Sequence, residues 1–146
     1  EMLDLNLTGG FLCAKYFLPL IKKARSGSII NHASIDATLG NPSIAAYVAA
    51  KGGWIPLTHV MAHDLGKYNI RVNSLSSGGI ATPMTAIHGE KNRMRIEVTP
   101  LQRQGRPEEV AQAALFLASD WSSFVNGANL VVDGGRTGIT QGCYNA

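Results

Sequence analysis

The segment Ser28-Ile29-Ile30-Asn31-His32-Ala33-Ser34 decides the fold of this chain, because it predicts a strand that is buried on both faces. It is a short run with β-branched residues, and it begins directly after Gly27, a residue type that interrupts helices. Before it, residues 2–23 carry apolar side chains on more than one face and predict a mostly buried helix. Ser34 is therefore placed at the carboxyl end of the strand.

The rest of the chain continues the alternation of helices and strands. Residues 35–43 predict a loop, and Ser43 is a suitable N-cap for a long helix that extends to about Lys67. The remaining predicted elements are a strand at 70–75, a turn at 76–79, a short helix around 90–97 within a loop, a helix at 107–118 and a strand at 129–132. This order predicts an α/β fold, a parallel sheet with helices on both faces.

Composition excludes several classes of protein. A hydrophobic content of 45% and a charged content of 16% are typical of a globular domain rather than a disordered chain. The 13 basic and 10 acidic residues are scattered, which does not favour nucleic-acid binding. No segment is long and apolar enough to predict a membrane span. The two cysteines match neither a disulfide framework nor a metal site, which favours a reducing, cytoplasmic location.

Tyr47 and Lys51 form a Tyr-x-x-x-Lys pair on the predicted long helix. Their i, i+4 spacing places both side chains on one face of that helix. An ammonium group held beside a phenol favours the ionised phenol, which brings it closer to use as a general acid or base. A tyrosine and a lysine at this spacing also occur by chance, so the pair gains meaning from Ser34, which ends the preceding strand where open α/β sheets bind ligands.

At this point the sequence resembles the short-chain dehydrogenase/reductase family along nearly its whole length. The matching segments appear in the order that the family has them: Asn6-Leu7-Thr8-Gly9, Gly27-Ser28-Ile29-Ile30-Asn31 leading to Ser34, Tyr47-Val48-Ala49-Ala50-Lys51, Arg71-Val72-Asn73, Ile80-Ala81-Thr82, Arg106-Pro107-Glu108-Glu109-Val110-Ala111, Phe116-Leu117-Ala118-Ser119-Asp120 and Asp133-Gly134-Gly135. The resemblance implies a Rossmann-like, doubly wound parallel sheet and an oxidoreductase that moves hydride between a nicotinamide cofactor and an alcohol or carbonyl compound.

The resemblance also implies catalytic roles for four residues. Tyr47 would be the acid/base, Ser34 would hold the reacting oxygen, and Lys51 would bind the nicotinamide ribose and favour the ionised form of Tyr47. Asn6 would anchor a water in the proton relay behind the lysine. The alternative for Asn6 is a hydrogen-bonded asparagine of structural importance only.

Contacts to the cofactor and the substrate follow from the same resemblance. The cofactor, NAD or NADP, would be held by Tyr47, Lys51, Ser77, Gly78, Ile80 and Thr82. Ser77 stands where the family usually has proline, and because proline fixes φ, we expect a looser turn here. The substrate, a small to medium alcohol or ketone, would contact Ser34, Asp36 and Met84, the last in a flap over the pocket.

The sequence departs from the family by having no Thr-Gly-x-x-x-Gly-x-Gly turn and only three predicted strands. A doubly wound sheet combines two halves, and a further βαβαβ half needs roughly a hundred residues. We therefore expect residues 1–146 to be the C-terminal catalytic part of a single Rossmann-fold domain whose N-terminal, cofactor-binding half is absent from this sequence. The helices at 2–23 and 43–67 correspond to helices that pack between subunits in the family, which predicts a homodimer or homotetramer.

Other readings of the sequence fit less well. His59 and His63 stand at i, i+4, but no third metal ligand is evident, so we expect no metal site. Ser34 lies in His-Ala-Ser-Ile-Asp, which is not the Gly-x-Ser-x-Gly of a serine hydrolase. The main alternative from another class is a non-catalytic binding or scaffold protein that keeps the fold.

Overall fold

The computed structural model of this protein describes residues 1–86, 93 and 96–139. Its helices are α1 at Gly9–Ala24, α2 at Ala45–Gly66, α3 at Pro83–Ala86 and α4 at Pro107–Ala118, with a π-helical turn at Asp4–Thr8 and 3-10 turns at Ile35–Ala37 and Asp120–Ser122. Its strands are β1 at Gly27–Ser34, β2 at Ile70–Ser77 and β3 at Asn129–Val132. The predicted bounds of α4 and β3 are confirmed.

The three strands form one parallel sheet in the order β1-β2-β3. Ser34 pairs with Ser77, which pairs in turn with Val132, so all three strands end at the same edge of the sheet. The predicted parallel α/β sheet is thereby confirmed. The turn predicted at 76–79 begins later than expected, because Ser76 and Ser77 are held between β1 and β3 as part of β2.

Helices cover both faces of this sheet. Asn31 of β1 donates a hydrogen bond to Thr58 of α2 over 2.8 Å, whereas Ser28 donates to the Leu117 carbonyl of α4 over 2.7 Å. Side chains three apart on a strand point to opposite faces, so α2 and α4 lie on opposite sides. The buried core cluster lies on the α2 side and consists of Met61, Ala62, Leu65, Ile70 and Val72, with Ala14, Leu18, Ile21 and Ile29 packed against it.

The expectation that the first helix is mostly buried is wrong for this chain. No residue of α1 is buried, because only the side carrying Ala14, Leu18 and Ile21 reaches the core. The opposite side presents large apolar side chains to solvent, among them Tyr16, Phe17 and Leu20, which are 72%, 59% and 62% exposed. An apolar surface of this kind is typical of a face that packs against another protein element.

Two further predictions concern the start of α2 and the loop after α3. Ser43 is not the N-cap of α2, because its φ of 67° is left-handed and the cap position falls on Ile44. The helix predicted around 90–97 lies largely outside the described residues, of which Arg93, Ile96 and Glu97 are helical. Within the described ranges, no helix has the length and apolarity needed to cross a bilayer, and no group of three or more potential metal ligands occurs.

Candidate active site

Ser34 ends β1 and is held by the first residues of the following turn. Its hydroxyl oxygen accepts a hydrogen bond from the backbone N–H of Asp36 over 3.1 Å, and it lies 3.5 Å from the Asp36 carboxylate. Asn41 donates to the other carboxylate oxygen over 3.2 Å. The predicted Ser34 and Asp36 are thus brought together, with the serine oxygen fixed at the carboxyl edge of the sheet.

Tyr47 and Lys51 lie on the first turns of α2, over the same edge. The Lys51 ammonium donates a hydrogen bond to the carbonyl oxygen of His32 over 2.9 Å, and it lies 5.9 Å from the centre of the Tyr47 ring. Partial burial lowers the pKa of Lys51. No described residue makes a hydrogen bond to the Tyr47 hydroxyl, so that oxygen remains free to bind a ligand.

Asn6 lies in the π-helical turn, and the structure does not bring its side chain to Lys51. The amide group of Asn6 points back along the helix, donating to the Met2 carbonyl over 3.2 Å. The backbone carbonyl of Asn6 instead accepts a hydrogen bond from the indole of Trp54, on α2, over 2.7 Å. Asn6 is therefore joined to the helix that carries Tyr47 and Lys51 through its backbone.

Trp54 is a residue that the sequence reasoning missed. It reaches Asn6 by packing against α1 at Gly10, where a Cβ atom would sit 2.5 Å from the Trp54 ring. This is a close approach that only glycine permits. The paired glycines Gly9 and Gly10, opposite a large aromatic residue, were the available signal.

The last residue of β2, Ser77, and the turn after it hold the predicted cofactor contacts Ser77, Gly78, Ile80 and Thr82. Gly78 donates from its backbone to the Val132 carbonyl over 3.0 Å, and a Cβ atom on it would lie 2.8 Å from that of Asp133. Ile80 forms an isolated parallel bridge with Gly105. The turn is thus held against the segments around β3 and before α4.

Thr82 is held by a second threonine that the sequence reasoning missed. Thr85 accepts a hydrogen bond from the backbone N–H of Thr82 over 2.8 Å, and its hydroxyl lies 2.8 Å from the Ile80 carbonyl. Pro83 at the first helical position and a polar residue two positions later are signals of such a helix start. The side chain of Met84, a predicted substrate contact, lies outside the described residues.

His32 is the third missed residue, and it lies between the two parts of the site. Its Nε2 atom is 3.2 Å from the hydroxyl oxygen of Ser77, within hydrogen-bonding distance. Partial burial, and secondly the charge of Lys51, lower the pKa of His32, which favours the neutral imidazole. A polar residue two positions before Ser34 on the same strand was the signal.

Comparisons with known proteins identify relatives of this chain. A family model described as enoyl-(acyl carrier protein) reductase matches residues 1–137. The chain is 49% identical to trans-4-hydroxycyclohexanecarboxylate dehydrogenase of Sinomonas cyclohexanicum, over 92% of this chain and 50% of that protein. It therefore spans about half the length of this relative.

Two solved structures share the fold. Gluconate 5-dehydrogenase from Burkholderia cenocepacia, in complex with NADP and tartrate, matches with a TM-score of 0.88 and 36% identity, over 92% of this chain and 54% of that one. The 3-oxoacyl-[acyl-carrier protein] reductase from Brucella melitensis, with bound NAD, matches with a TM-score of 0.84 and 41% identity, over 90% and 49%. Since the family model covers nearly all of the chain, this protein belongs to the short-chain dehydrogenase/reductase family.

Proposed function

We propose that this chain is the catalytic part of an NAD(P)-dependent oxidoreductase that interconverts an alcohol and a ketone or aldehyde. The observation that carries the proposal is the position of Lys51, which is bound to β1 two residues before Ser34 and lies 5.9 Å from the centre of the Tyr47 ring. One cation, one phenol and one hydroxyl thus share the carboxyl edge of a parallel sheet, where such folds bind ligands.

Each of these residues has a chemical task in this proposal. Tyr47 donates a proton to the carbonyl oxygen during reduction and removes one from the alcohol during oxidation. Ser34 donates a hydrogen bond to the same oxygen, and Lys51 favours the ionised form of Tyr47 by its charge. Asn6 anchors a water in the proton relay behind Lys51, and its backbone carbonyl, which accepts from the Trp54 indole, joins it to the helix that carries Lys51.

The residues present fit the nicotinamide end of NAD or NADP. Lys51 supplies an ammonium for the ribose hydroxyls, and the segment from Ser77 through Gly78 and Ile80 to Thr82 begins at the end of β2, which pairs with β1 at Ser34. When bound, the nicotinamide ring accepts or supplies the hydride. Tyr47 also contacts this end of the cofactor, while Ser34, Asp36 and Met84 contact the substrate.

The test is turnover by the full-length protein, followed at the absorbance band of reduced nicotinamide. NAD and NADP are each tried with cyclic secondary alcohols and with 3-oxoacyl compounds, the classes named in the relatives. We expect Tyr47→Phe to lower turnover about 100- to 10,000-fold. Tyr68→Phe, which lies after α2 near the amino ends of β1 and β2, is the control and should leave turnover unchanged. Absence of both turnover and nicotinamide binding by calorimetry would instead support a scaffold protein.

A homodimer or homotetramer in the cytoplasm completes the proposal. The exposed apolar face of α1, including Phe17 and Leu20, is the surface that a second copy would cover. Sedimentation of the full-length protein tests this assembly, and Phe17→Asp should shift the equilibrium between oligomer and monomer towards the monomer. A monomer at micromolar concentration in the unmodified protein would contradict the assembly.

A further inference from the structure

The contact between His32 and Ser77 joins two parts of the site that lie on different strands. His32 is on β1, two residues before Ser34, and Ser77 is the last residue of β2. Their side chains are 3.2 Å apart. Among the described residues this is the only side-chain hydrogen bond between β1 and β2, so it links the side of the site that carries Ser34 and Lys51 to the turn that follows Ser77.

We propose that His32 is a positioning residue that holds Ser77, and with it the Ser77–Thr82 turn, at a fixed distance from Lys51. The backbone carbonyl of His32 receives the Lys51 ammonium over 2.9 Å while its ring reaches Ser77. One residue therefore contacts both sides of the surface that would bind the nicotinamide end of the cofactor. This inference rests on the proposed function.

The backbone of the turn is already held at Gly78, which donates to the Val132 carbonyl, and at Ile80, which pairs with Gly105, so the His32 contact acts on the side chain at the start of the turn. Two glycines, Gly78 and Gly79, follow Ser77, and glycine loses more conformational freedom on ordering than any other residue. A serine at position 77 does not fix φ as proline does. The hydrogen bond to His32 adds a side-chain restraint to these backbone contacts, so the loosening expected from the sequence is opposed in the structure.

The protonation state of His32 is compatible with this task. Partial burial and the nearby Lys51 lower the pKa of the imidazole. The neutral ring carries one N–H donor and one acceptor nitrogen. Because the Ser77 hydroxyl both donates and accepts, the pair forms with either tautomer of the ring.

The experiment measures cofactor binding by the full-length protein in a double-mutant cycle. We expect His32→Ala and Ser77→Ala each to weaken cofactor binding by about three- to tenfold, the effect of losing one ordinary hydrogen bond. The double variant should bind no more weakly than either single one, because both changes remove the same contact. His32→Gln and Ser77→Thr, which keep a hydrogen-bonding group, should restore binding to within about twofold of the unmodified protein.

The controls separate a positioning role from general damage. His63→Ala, at a histidine whose side chain is 90% exposed on α2, should bind cofactor normally. The KM for cofactor should rise in the His32 and Ser77 variants while kcat changes little. If His32→Ala does not fold, Ser77→Ala tests the same contact from the other strand.

Two results would overturn the inference, and they differ in what else they overturn. Losses that add in the double variant, or single variants that bind normally, would refute the positioning role while leaving the proposed function intact. An unmodified protein that binds neither NAD nor NADP would refute both.

Discussion

The two ends of β2 both carry polar side chains, but these are partnered in opposite ways. Near its start, Arg71 and Asn73 are surrounded by hydrogen-bonding groups of the chain itself. At its end, Ser77 has one side-chain partner among the described residues, His32, and no described residue makes a hydrogen bond to the Tyr47 hydroxyl. Polar groups whose bonds are complete hold the fold together, whereas those with unused bonding capacity are available to a ligand.

The start of β2 is tied to the segment between α4 and β3. The Arg71 guanidinium donates to the carbonyls of Leu117 and Ser119 over 2.9 and 3.0 Å and to the Ser122 hydroxyl over 2.7 Å. It therefore satisfies carbonyls at the end of α4, which have no partner within the helix. Because each partner lies more than 40 residues away in the chain, this contact fixes tertiary structure.

The largest effect is expected at the carboxyl end, on turnover. Lys51→Met removes the charge beside Tyr47 and should lower kcat at least about 100-fold. The free energy of unfolding should stay the same or rise, because the ammonium is partly desolvated and makes one hydrogen bond, to the His32 carbonyl. Activity and thermal melting are measured together, with the exposed Lys67→Met as control. A fall in stability that matches the loss of activity would contradict a chemical role.

The next largest effect is expected at Asn73, on stability. Its amide donates to the Val125 carbonyl over 2.8 Å and accepts from the Ala128 backbone over 2.9 Å, and the residue is fully buried. Asn73→Ala leaves two backbone groups without partners and should lower the free energy of unfolding by about 2 to 4 kcal/mol. Denaturant unfolding measures this, and exposed Asn41→Ala is the control. A loss below about 0.5 kcal/mol would show that the backbone groups find other partners.

The contrast between the two ends of β2 also explains what could be predicted from the sequence. The strands, α4 and the edge position of Ser34 follow from local patterns of apolar residues and helix signals. The pairing of Tyr47 with Lys51 follows from helical spacing, since both lie on one element. These features depend on residues that are near one another in the chain.

The rest depended on contacts between distant segments. His32 and Ser77 are 45 residues apart, and Trp54 and Asn6 are 48 apart, so no pattern of neighbouring residues predicts that either pair is in contact. The position of Ser43 was also not predictable from nearby residues. Serine is favoured as a helix N-cap, but the path of the loop gives Ser43 a left-handed backbone that excludes it from that role. The exposure of α1 was not predicted, because apolar periodicity indicates that a helix face packs against something but does not indicate whether the partner lies in the same chain.

A smaller effect on stability is expected from Arg71→Lys. The charge is kept, but one ammonium cannot reach the end of α4 with the planar fork of a guanidinium. Losing one or two of the three hydrogen bonds should lower the free energy of unfolding by about 1 to 2 kcal/mol. Turnover per folded molecule should be unchanged. Chemical denaturation measures the stability, and active-site titration gives the turnover per folded molecule. A selective loss of turnover would show that the two ends of β2 are coupled.

The smallest effect is expected at Glu109, in the first turn of α4. Two hydrogen bonds of 2.7 and 2.8 Å from Arg103, followed by the backbone N–H of Arg106, lower the pKa of Glu109 from 4.5 to about 2. A carboxylate with a lowered pKa stabilises the fold above its unfolded pKa, so this contribution is complete above pH 4.5 and is lost as the pH falls towards 2.

The test for Glu109 compares melting temperatures between pH 5 and pH 2.5. Glu109→Gln should make the fall in melting temperature shallower, because its amide does not titrate. The difference should shrink in 1 M salt, since the Arg103 side chain is 47% exposed and its charge is screened. Equal slopes for the two proteins would mean that the ion pair makes no net contribution to the stability of the fold. The start of α4 would then depend on Pro107 at its first position and on packing.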